Sequence, residues 1–269
     1  MNKKYLFALA PVLLGFTWIL AEIPFAEDLR AQLKPIGSFS RPCCTLAPSD
    51  AYGKLVKKVM KYKEIGLENL GLYSFGNHAK KENNGQLYTC RAGFIDTSHL
   101  RHVLDWTVYF FEQINNLTID NLVIELPKEG GHRKIFFDAA ILNLDLESKA
   151  SIAQKISYDL AVWHEILTWY VPSTFLIKER VSSFSPEDLF SNNIGGILGR
   201  QILVEMIRGN KQVSLEDYEK RVDDLIRQTV TEFGGMSAEK TYAAFKLTSG
   251  VWWNPAYHLP RFRATLKRE

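Results

Sequence analysis

With 269 residues, 46% of them hydrophobic and 12% aromatic, the chain has the size and composition of one large globular domain with a substantial core. Its 33 basic and 30 acidic residues leave a formal charge of +3, and the one basic cluster (Lys54, Lys57, Lys58, Lys61, Lys63) reads as a solvated helix face, which argues against a nucleic-acid partner. No G-x-S-x-G elbow occurs, and Gly195-Gly196-Ile197-Leu198-Gly199 lacks the Lys-Ser/Thr of a phosphate loop, so serine-hydrolase and nucleotide-binding signatures are both missing.

The chain opens with Lys3 and Lys4, an apolar run Tyr5–Leu20, then Ala21 and Glu22. This pattern predicts a signal peptide or N-terminal membrane anchor over residues 1–26, with small residues for cleavage at Ala21 and Ala26. The rest is expected to be exported, touching a membrane only through that segment. Residues 27–49, broken by Pro35, Pro42 and Pro48, predict a linker, and 50–269 a single globular domain. In an oxidising compartment a bridge from one of Cys43 and Cys44 to Cys90 is the favoured expectation, with a strained Cys43–Cys44 bond or a nucleophilic Cys90 as the alternatives.

Within the domain, Asp50–Gly66 has helical spacing and Gln86–Phe94 reads as a strand. Asp96–Asn115 predicts a helix capped by Asp96, with an apolar stripe through Leu100, Val103, Leu104, Phe110 and Phe111. Asn121–Leu126 and Arg133–Ala139 form a hairpin pattern around Gly130-Gly131. A buried helix, taken as the organising element, is expected from Leu146 or Ser151 to Tyr170, its apolar face formed by Ile152, Ile156, Leu160, Trp163 and Leu167. Ser185, Pro186 and Asp188 predict another helix start, with Asp188 closing a capping box and the helix continuing to Arg208. Ser214–Phe233 is a further helix, Ala238–Tyr242 a turn, and Val251–Arg263 an irregular strap. The fold class is therefore α-rich α+β: packed helices with a small antiparallel sheet.

His164-Glu165 points to chemistry, because a charged pair in an apolar setting must be neutralised, hydrogen-bonded or metal-bound. The HExxH pattern of zinc peptidases is incomplete, since Thr168 stands where the second histidine belongs. Asp96 and His99, three apart at a helix start, can complete a set if the two helices pack together. His99 and His164 are then the expected ligands of zinc or another divalent metal, with Glu165 or Asp96 as general base. Ser183, Ser185 and Asn192 are supporting candidates at the neighbouring helix start, where capping is the better explanation of Ser185. His102 is expected at the surface. Without a metal, the same groups would be a hydrogen-bonded core cluster.

The blocks CRAGFIDTSHLRHVLDWT, YDLAVWHEILTWYV and SSFSPEDLFSNNIGGILG resemble an uncharacterised bacterial family of exported proteins, a domain of unknown function. The resemblance covers the chain from about Arg41 to the tail and implies a bacterial, periplasm-facing protein. It implies no chemistry. The expectation from the residues is an envelope hydrolase, metal-dependent, acting on an envelope or small-molecule substrate. The alternative is a non-catalytic envelope protein whose His/Asp/Glu cluster only fixes the helix pairing.

Overall fold

The computed structural model describes residues 23–33, 41, 63–75, 81–126, 131–170, 183 and 185–248. In chain order these form helix α1 (Glu27–Gln32), strands β1 (Lys63–Glu64), β2 (Gly85–Thr89) and β3 (Gly93–Asp96), and helix α2 (Thr97–Asn115). Strands β4 (Val123–Leu126) and β5 (Arg133–Phe136) follow, then helices α3 (Leu146–Tyr170), α4 (Pro186–Gly209), α5 (Leu215–Glu232) and α6 (Ala238–Thr248). The class is α-rich α+β, as the patterning predicts.

Helix α2, not α3, is the central element. All its residues from Thr97 to Glu112 are buried, because α3 and α4 pack on it and on each other while the strands cover its start. A sequence pattern reports only the face a helix prefers to bury; it does not report how many neighbours surround that helix. Helix α3 keeps one side in solvent: Ser151, Lys155, Asp159, Trp163 and Tyr170 are exposed. Its deepest face is the small one, Ala150, Ala153, Ser157 and Ala161, and the expected apolar stripe is only half-buried at Ile152 and Ile156. Small side chains let two helix backbones approach closely, and here that outweighs burying the larger ones.

Close approach is sharper still between α2 and α4. A Cβ built on Gly195 would lie 2.2 Å from the Leu100 carbonyl oxygen, and one on Gly199 would lie 2.8 Å from the Thr107 Cβ. The glycines of α4 therefore form the groove into which α2 fits.

The predicted strand over Gln86–Phe94 is in fact two. Thr89 and Gly93 end an antiparallel hairpin of β2 and β3, turned through Gly93 at φ 73°. β1 pairs in parallel with β2, so Lys63–Glu64, expected near the helix end, is a strand, and Ile65 and Gly66 after it are not helical; residues 50–62 of that predicted helix lie outside the described residues. β4 and β5 form a separate two-stranded sheet rather than joining the first. The expected turn at Ala238–Tyr242 is the start of a full helix to Thr248.

The segment expected to begin a linker is instead part of the body. Phe25, Leu29 and Leu33 are buried, and the Phe25 ring packs edge-on against Phe111 at 5.8 Å. Val213 N donates to Pro24 O (3.0 Å) and Ala26 N to Val213 O (3.1 Å), tying this segment to the start of α5. Each such buried apolar side chain stabilises by roughly 2 kcal/mol. Cys90 is exposed and carries a free thiol, so it does not form the expected bridge; Cys43 and Cys44 lie outside the described residues. Among the described residues no helix is long and apolar enough to cross a membrane, and residues 5–20 are not among them.

Arg41 is the second tie. Its guanidinium is buried and clasps Glu82 through Nε and Nη2 (2.7 and 2.9 Å) and Asp105 through Nη1 (2.8 Å). The Tyr73 hydroxyl donates to the other Asp105 oxygen. Beside this cluster Arg101, also buried, donates to the carbonyls of Asn83 and Leu70. Burial pushes Glu82 upward, but the Arg41 charge and hydrogen bonds outweigh it and hold the group down at about 2. For Asp105 burial wins over Arg41 and Tyr73, lifting it to about 6.

Folded Asp105 thus keeps its proton at pH values where the unfolded chain, titrating near 3.8, has lost it. Its contribution to stability is greatest in acid and falls as pH rises through 6. Glu82 acts in the opposite sense, losing its stabilisation only as pH falls from 4.5 toward 2. Between pH 4.5 and 7 the Asp105 effect is therefore isolated. Across that range Asp105→Asn should gain about 2 kcal/mol relative to the parent, measured by urea unfolding. A pH-independent difference would refute the assignment.

Candidate metal centre

Two helix starts meet at the end of the α2–α4 contact. Asp96 is the N-cap of α2, where its Oδ1 accepts from Ser98 N (2.8 Å) and His99 N (3.1 Å). Its own backbone N–H donates to Ser191 Oγ (2.8 Å), and Ser191 donates in turn to Glu187 O (2.5 Å). That relay pins the start of α2 against the first turns of α4.

His99 stands between the two helices, fully buried. Its Nδ1 faces Asn192 Oδ1 at 3.1 Å. With the amide in this orientation, Nδ1 carries the hydrogen and Nε2 presents its lone pair to the pocket. Nε2 lies 3.7 Å from Asp188 Oδ1, beyond a hydrogen bond but near the spacing of two atoms bound to one cation at about 2.1 Å. Asp96, His99 and Asp188 each bring one donor atom to within 4.8 Å of the others, and all three are buried. This group could hold a metal ion.

Asp188 is the residue whose role the sequence conceals. Ser-Pro-Glu-Asp reads as a capping box, yet Ser185 makes no side-chain cap hydrogen bond and Asp188 contributes only its backbone N–H to Ser185 O. Neither Asp188 carboxylate oxygen has a hydrogen bond among the described residues, although the group is 1% exposed. Such a group costs several kcal/mol to bury charged, so it must be protonated or neutralised by a cation. Burial pushes its carboxyl well above the aspartate range; His99 pulls it down, while Glu165, Asp96 and Glu187 push it further up. An acidic pair in the first turn of a helix is ordinary, and only the flanking Leu189 and Phe190 hint that this one faces inward.

Of the other predicted residues, Glu165 is buried and close enough to act on the Asp188 charge. His164 is half-buried; its ring centroid lies 6.5 Å from that of His99, so α2 and α3 do bring both imidazoles to one region. It is not one of the three converging donors, and Asp188 takes the place expected for it. Asn192 orients His99. Ser183 and Ser185 are buried, with hydroxyls that make no hydrogen bond among the described residues. His102, expected at the surface, is buried edge-on against Trp106, with ring centroids 5.2 Å apart. It lies on α2 three residues beyond His99 and is absent from the Asp96–His99–Asp188 group.

No curated protein and no solved structure matches the chain. Residues 59–269 match the model of a protein family of unknown function, DUF4056, a span that holds every residue of the candidate centre; the chain belongs to that family.

Proposed function

We propose that the protein is a metal-dependent hydrolase of the bacterial cell envelope, exported by its N-terminal segment and working on an envelope or small-molecule substrate. The observation that carries this reading is the buried Asp96–His99–Asp188 group, in which the Asp188 carboxylate makes no hydrogen bond among the described residues. One nitrogen and two carboxylate donors suit Zn2+ or another divalent first-row cation and leave coordination positions for water and substrate. Such a cation supplies a Lewis acid and an acidified water. Glu165, buried beside the group, takes the proton from the attacking water as the new bond to oxygen forms. It then returns that proton to the leaving group as the old bond breaks. Asn192 holds the His99 ring in the tautomer that presents Nε2.

One observation favours a purely structural cluster: Asp96 Oδ1 already serves two backbone N–H groups. The two readings part in metal analysis of the purified full chain. At least one equivalent of divalent metal is expected, lost in His99→Ala. Glu165→Gln should keep that metal and lower hydrolysis of a reporter-ester and phosphoester panel by about a hundredfold or more. A metal-free protein that merely melts earlier when His99 is replaced would establish the structural cluster instead.

A further inference from the structure

Ser185, the N-cap of α4, stands in line with Asp188 and Asn192 at the spacing i, i+3, i+7, which puts the three on one face of the helix. Neighbours at such spacing have Cβ atoms about 5–6 Å apart, and helical side chains lean toward the helix start. All three are buried, at 1%, 1% and 0% exposure. Asp188 and Asn192 both meet the His99 ring, at 3.7 and 3.1 Å, so this face of α4 looks into the candidate centre.

Each of the three carries an atom that makes no hydrogen bond among the described residues: Ser185 Oγ, both Asp188 carboxylate oxygens and Asn192 Nδ2. A cation accounts for Asp188, because it takes lone pairs. It cannot account for Asn192 Nδ2, which only donates, since the amide oxygen is the atom engaged with His99. Ser185 sits at the N-cap, yet its hydroxyl makes no cap hydrogen bond. Buried donors left without an acceptor are costly, so this face is built to receive an oxygen from outside the chain. Its neutral donors suggest which oxygen. Transferring phosphoryl groups are clamped by Arg and Lys, whereas the oxyanion of acyl transfer is held by groups such as Asn and Ser. Among the described residues the only buried basic side chains of that kind are Arg41 and Arg101. Arg41 is committed to Glu82 and Asp105, and Arg101 to Asn84 and backbone carbonyls.

We propose that Asn192 Nδ2 and Ser185 Oγ form an oxyanion hole beside the metal centre, and that the substrate is a neutral acyl compound, an ester or an amide. This rests on the metal-dependent reading above and deepens it. The water oxygen bonds to the carbonyl carbon, the carbonyl electron pair moves onto its oxygen, and the two donors hold that negative charge. When the carbonyl reforms, the bond to the leaving oxygen or nitrogen breaks, and the proton that Glu165 took from water passes to it. Asn192 then has two tasks: its Oδ1 fixes the His99 ring and its Nδ2 meets the substrate.

The test is hydrolysis of p-nitrophenyl acetate by the metal-loaded full chain, set beside p-nitrophenyl phosphate. The acetate is expected to be the better substrate. Ser185→Ala and Asn192→Asp should each lower kcat for it about a hundredfold with KM little changed, because these bonds form only in the transition state. Asn192→Asp still offers His99 Nδ1 an oxygen, so it should keep its metal while losing the donor. Ser185→Ala removes no cap hydrogen bond, so it should melt with the parent and carries the test if the Asn192 variant fails to fold. A trifluoromethyl ketone, whose hydrate copies the tetrahedral oxyanion, should bind both variants at least tenfold more weakly when followed by fluorine NMR. An unchanged kcat in Ser185→Ala, or a preference for the phosphate, overturns the oxyanion hole and leaves the hydrolase reading standing. A metal-free chain inert toward both substrates overturns both.

Discussion

Replacing Arg41 by alanine should cost the protein about 3–5 kcal/mol, lowering its melting temperature by roughly 10 °C or more. The guanidinium is the shared partner of Glu82 and Asp105. Without it two buried carboxylates face each other with Arg101 as the nearby positive charge, and Arg101 is committed to backbone carbonyls and to Asn84. The penalty is mainly that of leaving charge unpaired, so removing a partner as well should recover part of it. Arg41→Ala combined with Asp105→Asn should therefore lose less than the sum of the two single variants. Additive losses would mean that the clasp is not a coupled unit. The same reasoning applies to the family boundary. Residue 59 lies beyond both Arg41 and the Phe25–Leu33 segment, and a fragment starting there lacks the clasp and three core side chains. Such a fragment should show no cooperative melting in calorimetry.

Arg41 also shows where reading the sequence stops. Among prolines and next to Cys43-Cys44, an arginine looks like linker surface, and nothing local links it to Glu82, 41 residues on. Phe25 and Leu29 are hidden likewise, because a short helix next to a run that reads as an export segment carries no signature of docking on α5. What could be read was local chemistry. Asp96 and Ser214 cap α2 and α5 as their side chains predict, since a cap is decided within about four residues. The 3.6-residue pattern locates α2, α3 and α4, but it does not tell which of them is most buried, because burial depends on neighbours. The site divides the same way. Asp96 and His99 share one helix start and pair by spacing, and Glu165 stands out by its apolar setting. Asp188 fits a capping pattern, which accounts for its carboxylate at the level of sequence. Only the crossing of α2 and α4 turns it toward His99.

That crossing predicts the second large effect. Gly195→Ala should destabilise the protein by about 3 kcal/mol or more and weaken metal binding, although residue 195 belongs to no ligand set. The added methyl carbon would sit 2.2 Å from Leu100 O, and a backbone carbonyl in a fully buried helix cannot rotate away as a flexible side chain would. The helices must separate, which opens the packed core between α2 and α4. Leu100 is the residue after His99, and Gly195 lies two turns beyond Asp188 on α4, so separation at this point lengthens the 3.7 Å gap between His99 Nε2 and Asp188 Oδ1. Gly196→Ala is the control. Its methyl would lie 3.1 Å from the Gln154 side chain, which can give way, so a far smaller loss is expected. Titrating both variants with a divalent cation while following their unfolding separates the effects. Gly195→Ala should bind more weakly than Gly196→Ala under conditions where both are folded. Equal affinity would mean that the centre tolerates movement of the helices that carry it, and the geometric argument for a metal between them would fail.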